Sequence, residues 1–115
     1  MKRLLAAAAA LALLALAGCA SVDDLTKRDP AFYGPSTRGA QDYSECVVAA
    51  WQGQGSQVER RPIQDGYQVT ASSSISVEAV LNVITYRGKT DVKLYTRLPG
   101  RGLDRDLVEA ANLCM

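Results

Sequence analysis

The 115-residue sequence contains no histidine. Histidine is the commonest general base and a frequent metal ligand, so its absence argues against Ser-His and Cys-His catalysis and against histidine-based zinc sites. Serine chemistry has little support either, because the Ser72-Ser73-Ser74 run has no nucleophile-elbow glycines and no Ser-x-x-Lys spacing. We therefore expect a non-catalytic protein with no catalytic residues, no metal site and no cofactor.

An excess of charge of either sign is also missing, since 13 basic residues face 12 acidic ones. Without a basic excess there is no indication of nucleic-acid binding. Aromatic residues are few, and the single tryptophan, Trp51, falls on the apolar stripe of a predicted helix. At that position we expect a core residue rather than a platform for a ligand. The length allows one small domain.

The N-terminus has the layout of a secretory signal. Met1-Lys2-Arg3 supplies a positive start, and Leu4 to Leu16 is an uninterrupted apolar run of 13 residues. A bilayer-spanning helix needs roughly 20 apolar residues, so this run is too short to remain as a stable membrane anchor. The pattern predicts that residues 1–18 are a signal peptide that is removed.

The tetrapeptide Leu16-Ala17-Gly18-Cys19 resembles the lipobox of bacterial lipoproteins. In that family the cysteine thiol is diacylglycerol-modified, the chain is cut just before it, and the new amine is usually acylated. The resemblance implies that Cys19 is the lipidated first residue of the mature protein, which its acyl chains hold on a membrane. The alternative is an ordinary secreted protein that is cut nearby and has a free Cys19.

The residues after the lipobox indicate which membrane holds the protein. In Gram-negative lipoproteins an aspartate directly after the cysteine usually signals retention in the inner membrane, whereas here Ala20 and Ser21 follow. The resemblance therefore implies an outer-membrane lipoprotein that faces the periplasm. Removal of Lys2 and Arg3 with the signal would leave 11 basic residues against 12 acidic ones.

With Cys19 lipidated, Cys46 and Cys114 remain as one pair in an oxidising compartment, where disulfides form and persist. Closing a loop of about 70 residues would stabilise the fold by roughly 4 kcal/mol in the chain-entropy model. Two buried free thiols are the alternative. A redox pair has less support, because no Cys-x-x-Cys motif is present to lower a thiol pKa.

Residues 19–41 read as the lipidated cysteine and a flexible tether, because they are rich in charge, proline and glycine and show no sustained apolar period. The apolar interruption Ala31-Phe32-Tyr33 is expected to pack back on the domain, or else to offer a contact point for a partner. Residues 42–115 are predicted to form the periplasmic domain.

Apolar periodicity places six elements in that domain. Helical spacing predicts helices from Asp42 to Gln52 and from Asp104 to Cys114, each capped by its first aspartate. A period of two predicts strands at Gln57–Ile63, Tyr67–Ser72 and Thr90–Leu98. Val77–Tyr86 also has a helical interpretation, but its β-branched residues favour a fourth strand. Asp65-Gly66 is a hairpin-turn signal, and Tyr86 and Tyr95 are expected to pair across the last hairpin.

The resulting fold class is α+β, a two-layer sandwich in the order α-β-β-β-β-α with an antiparallel sheet. Cys46 and Cys114 both lie on the apolar stripes of their helices. Two helices packed side by side on one sheet face would bring these cysteines within bonding distance, so the expected disulfide would join the helices.

Arginines supply the remaining candidate site. Five of them are candidates for binding an anion, such as a phosphate or a peptidoglycan carboxylate, or an acidic partner, against the alternative of a solvated surface; they are Arg60, Arg61, Arg97, Arg101 and Arg105. The leading functional hypothesis is a lipoprotein whose domain binds another envelope protein. The alternatives are an inhibitor or immunity-type protein against a cell-wall hydrolase, and a module that binds an anionic ligand or peptidoglycan.

Overall fold

A computed structural model describes residues 21–98 and 102–115 of the chain. Residues 1–20, which include the predicted signal peptide and Cys19, and residues 99–101, which include the predicted Pro99-Gly100 break and Arg101, lie outside this part. The elements in chain order are α1 (Val22–Thr26), β1 (Phe32–Ser36), α2 (Ala40–Gly53), β2 (Gln57–Ile63), β3 (Gly66–Ser72), β4 (Val77–Tyr86), β5 (Lys89–Thr96) and α3 (Gly102–Leu113).

The five strands form one antiparallel sheet in the order β1-β5-β4-β3-β2. β4 and β5 are joined by Arg87 and Gly88, both at positive φ (52° and 78°), as a tight two-residue hairpin turn requires. The segment Val77–Tyr86 is a strand, as its β-branched residues predict. β2 is an edge strand, which tolerates Pro62 because a free edge needs no ladder donor there.

The β2–β3 hairpin differs by one residue from the predicted Asp65-Gly66 turn. Ile63 pairs with Gly66, so the turn residues are Gln64 and Asp65, and Asp65 takes the positive φ of 64°. Gly66 instead begins β3 where two strands approach closely, since a Cβ there would lie 1.9 Å from the backbone oxygen of Val83. The glycine is therefore required for packing rather than for the turn itself.

The core lies between one sheet face and the pair α2 and α3. Alternate residues of the strands are buried there, among them Val69, Leu81, Val83, Val92 and Leu94. The helices contribute their apolar stripes, including Tyr43, Val47, Trp51, Leu107 and Ala111. Trp51 is fully buried, and its indole N–H donates to the Leu107 oxygen at 3.0 Å. The predicted two-layer α+β sandwich with helices joined by a disulfide is confirmed.

The structure differs from the predicted tether over residues 21–41, because this segment contributes both α1 and β1. Ser21 caps α1 through a reciprocal pair of hydrogen bonds with Asp24. Leu25 is fully buried with Val80 and Tyr95 on the sheet face opposite α2 and α3. β1 then pairs with β5, so the chain order is α-β-α-β-β-β-β-α and the sheet gains a fifth strand.

Three smaller predictions are wrong. α2 begins at Ala40, with Gly39 as its N-cap and no side-chain cap, so Asp42 lies within the first turn. Asp104 is likewise inside α3, where its carboxylate accepts a hydrogen bond from the Leu98 N–H. Tyr86 and Tyr95 do not face each other, since the β4–β5 register pairs Tyr86 with Lys89 and Tyr95 with Val80.

Candidate functional site

The disulfide joins α2 to the end of α3. Cys46 and Cys114 are bonded, their Cα atoms lie 5.8 Å apart, and 68 residues separate them in the chain. Both belong to, or pack against, the core between the helices and the sheet. The bridge therefore fixes the end of α3 to α2. It lies between the helices, near the surface of the domain.

Arg60 is held by neighbours within the fold. Its guanidinium donates to the Ser44 hydroxyl at 3.0 Å, lies 3.7 Å from the Glu45 carboxylate and stacks over the Tyr67 ring at 4.5 Å. All of these contacts are on the helix side of the sheet. Arg60 thus secures the edge strand β2 to α2, and its charge is already partly neutralised.

The remaining predicted arginines do not join Arg60. Arg61 follows it on β2 and so points to the opposite sheet face, where its Nε donates to the Gln68 oxygen at 2.9 Å. Arg97 pairs with the buried Glu78 at 3.1 Å. Arg105 is exposed on α3, and Arg101 lies outside the described residues. The hypothesis of one anion site built from these residues receives no support from their placement.

The sheet face opposite α2 and α3 is only partly covered by α1. We call its uncovered part the open sheet face, and its centre is a row of five residues, one from each strand. The register places these residues side by side across the sheet in the order Arg61, Gln68, Asn82, Lys93 and Tyr33. Hydrogen bonds link the first three, from Arg61 to Gln68 and from Gln68 to Asn82, each at 2.9 Å.

Large apolar side chains are exposed in this row and beside it. Tyr33 is 63% exposed, Tyr86 57% and Ile84 38%. Cations accompany the two tyrosines, since Lys93 Nζ lies 5.6 Å from the Tyr33 ring centroid and the Arg87 guanidinium lies 5.2 Å from that of Tyr86. Such pairs are weak when exposed, but they place a positive charge next to each aromatic ring.

Four basic and two acidic residues belong to the open sheet face. The basic ones are Arg61, Arg87, Lys89 and Lys93. The acidic ones are Glu59, two positions before Arg61 on β2, and Asp91, which pairs with Ile84 in the strand register. The open sheet face is therefore both basic and partly aromatic. These residues come from different segments of the sequence. They share one sheet face only because of the register between the strands, which no single segment reveals.

A cavity of about 410 Å³ lies where α1 meets the open sheet face. The start of α1 and its N-cap line one side of this cavity, and strands β2 and β3 line the other; the residues are Ser21, Val22 and Asp23, and Glu59, Arg61, Gln68 and Thr70. The start of the described chain is consequently next to the polar row. This adjacency follows from the docking of α1, which the sequence did not predict.

A second concave surface, which we call the helix groove, runs between the outer sides of α2 and α3 and has a volume of about 440 Å³. The disulfide forms part of its floor, together with Ala50 and Ala110, and Leu113 on its wall is 81% exposed. Its rim carries Gln54, Asp106 and Glu109. An apolar floor with an acidic rim suits an apolar segment that carries basic groups.

Two buried acidic residues, Glu78 and Asp104, lie at the end of the sheet where β5 leads into α3. Glu78 accepts from Ser73 at 2.9 Å and from Arg97 at 3.1 Å, and Asp104 accepts from the Leu98 N–H. Burial raises the pKa of Asp104 above its usual value, and the Glu78 carboxylate acts in the same direction, against the Leu98 N–H and the Arg97 charge. These contacts fix the β5–α3 connection to the sheet.

Among residues 21–98 and 102–115, no group of three or more His, Cys, Asp or Glu side chains is arranged to hold a metal ion. In the same part of the chain, no helix has both the length and the apolar character needed to cross a bilayer. Comparisons with protein-family models, curated proteins and solved structures found no match to this chain.

Proposed function

We propose that the chain is a lipoprotein of the bacterial cell envelope, held on the periplasmic side of the outer membrane by acyl chains on Cys19, with a non-catalytic domain that binds another envelope protein. The observation that carries this proposal is the use of the three cysteines. Two of them form the Cys46–Cys114 disulfide, and the third is the cysteine of the lipobox. A structural disulfide is typical of an oxidising compartment such as the periplasm.

The helix groove is the surface that we assign to the protein partner. Leu113 projects from it almost fully exposed, whereas Leu107 of the same helix is fully buried. An apolar side chain in a concave surface is a frequent anchor of protein interfaces. The carboxylates of Asp106 and Glu109 on the rim favour a partner segment in which basic residues flank an apolar one.

The lipid anchor is tested by the intact mass of the protein extracted from membranes of its host. The expected mass starts at Cys19 and includes two or three acyl chains. A Cys19→Ser variant should keep residues 1–18 and carry no acyl mass, because the modified thiol is missing. A wild-type mass that starts at Met1, or that lacks acyl chains, would refute the anchor.

The protein partner is tested by crosslinking in cells, followed by purification and mass spectrometry. We expect one recurrent envelope protein with the wild type and a loss of that protein with Leu113→Ala. The matched control is Ile75→Ala, because Ile75 is 69% exposed in the β3–β4 connection and does not line the groove. Equal capture by both variants would contradict the assignment of the groove.

The identity of a captured protein separates the remaining hypotheses. If it is a cell-wall hydrolase and the purified lipoprotein inhibits it stoichiometrically, the domain is an inhibitor. If peptidoglycan fragments are recovered in place of a protein, the domain is a glycan-binding module, and the protein-binding function is refuted.

A further inference from the structure

We propose that the open sheet face rests on the membrane and contacts the headgroups of anionic phospholipids, so that the helix groove points away from the bilayer. This inference rests on the proposed acylation of Cys19. It concerns a surface that the protein-binding proposal does not use, and it assigns a separate occupant to each side of the domain.

The first argument is the short distance from the anchor to the sheet. Cys19 precedes Ser21 by two residues, and two extended residues span at most about 7 Å. Ser21 is not free to move away from the domain, because it caps α1, and Leu25 of α1 is fully buried against Val80 and Tyr95. The proposed acyl chains would therefore attach within about 7 Å of Ser21, which lies on the sheet face that α1 partly covers.

The second argument is that Ser21 adjoins the polar row itself. Ser21 and Arg61 line the same cavity, and Arg61 begins the row that ends at Tyr33. An acyl chain that enters the bilayer next to this cavity brings the whole open sheet face near the headgroups.

The third argument is the chemistry of the open sheet face. Tyrosine is enriched at membrane–water interfaces, where its ring meets apolar groups and its hydroxyl remains hydrated. Tyr33 and Tyr86 are exposed there, each beside a cation, and basic residues are attracted to anionic lipid surfaces. Four basic residues against two acidic ones, Glu59 and Asp91, leave this face with a positive excess, which matches an anionic bilayer.

The opposite side of the domain has the opposite charge. The exposed charged residues of α2 and α3, together with Arg60 on the helix side of β2, comprise four acidic and two basic side chains; they are Asp42, Glu45, Asp106, Glu109, Arg60 and Arg105. An anionic surface would repel this side. The distribution of charge therefore favours the same orientation as the anchor.

The experiment uses the mature lipoprotein reconstituted in vesicles of phosphatidylcholine, with or without one quarter phosphatidylglycerol. A water-soluble acylating reagent then modifies exposed lysine amines, and mass spectrometry gives the rate at each site. On anionic vesicles we expect the rates at Lys89 and Lys93 to fall about 5-fold relative to uncharged vesicles. One basic residue at an anionic surface shifts the equilibrium between the membrane-bound and the free sheet face by about this factor. The control is Arg105→Lys, whose new amine lies on the helix side and should react equally fast on both.

Two outcomes would overturn the inference. One is an equal change at all three amines, and the other is stronger protection of the amine introduced by Arg105→Lys. Failure of the anchor is distinguishable from both, because a protein without acyl mass that does not float with vesicles refutes the lipoprotein proposal. An acylated protein that floats with the vesicles while Lys89 and Lys93 react freely refutes only the orientation.

Discussion

At the scale of single residues, the two helices are connected by polar groups buried in an apolar interface. The Tyr43 hydroxyl donates to the Ala111 oxygen at 2.7 Å, and the Trp51 indole donates to the Leu107 oxygen at 3.0 Å. Both acceptors are backbone carbonyls of α3, and both donors are side chains of α2. These bonds specify how far each helix is shifted along the other, which hydrophobic contact alone defines poorly.

Replacing Tyr43 with phenylalanine should lower the free energy of unfolding by about 1 kcal/mol, because the Ala111 carbonyl loses its side-chain donor while the ring still fills the core. Urea denaturation at neutral pH measures the change. Tyr86→Phe is the control, since Tyr86 is exposed and should lose almost nothing. A stability equal to that of the wild type would show that the hydroxyl is not needed.

The same variant should change how stability depends on pH. Burial raises the pKa of Tyr43 to about 12, whereas the unfolded chain has an ordinary tyrosine pKa near 10. The stabilising effect of the protonated hydroxyl is therefore complete below pH 10 and is lost as the pH rises toward 12. Tyr43→Phe should lack this part of the alkaline loss, and Tyr86→Phe should retain it.

At the scale of elements, the sequence predicted what long periodic segments specify. The β-branched residues of Val77–Tyr86 and the helical spacing over α2 and α3 identified these elements, and the cysteine positions on two apolar stripes predicted the disulfide. α1 and β1 were missed, because five residues are too few to show a period and Gly34-Pro35 resembles a break. β1 tolerates Pro35 because it is an edge strand.

The candidate surfaces depended on information that the sequence does not contain. Arg60 and Arg61 are neighbours in the chain, but strand geometry sends them to opposite faces. Arg61 and Lys93, in contrast, are 32 residues apart in the numbering and lie in one row. Residues that share a surface in a sheet are selected by strand order and register, and both depend on contacts between distant segments.

The docking of α1 can be tested with Leu25→Ala. Because Leu25 is fully buried, the variant should lose roughly 2–5 kcal/mol in the free energy of unfolding. Leu113→Ala is a matched control, since the same substitution at an 81% exposed position should change stability by less than about 0.5 kcal/mol. If both variants had equally small effects in urea denaturation, α1 would not contribute to the folded domain, and residues 21–41 would behave as a tether.

At the scale of the whole molecule, the domain has two sides with different charge and different concave surfaces. One side carries the basic open sheet face and the start of α1, and the other carries the acidic helix layer and its groove. The short anchor that we propose would restrict the rotation of such a domain as well as its position. Every anchored copy would then present the same groove outward.

Lengthening the anchor should therefore weaken the orientation without weakening the fold. Inserting about 16 Gly and Ser residues between Ala20 and Ser21 gives a flexible leash with a root-mean-square length of roughly 20–24 Å, so the effective concentration of the sheet face at the membrane falls. We expect Lys89 and Lys93 to become more reactive toward the acylating reagent on anionic vesicles, while urea denaturation is unchanged. If both lysines remain as protected as in the native lipoprotein, the open sheet face binds the headgroups strongly by itself, and the short anchor does not determine the orientation.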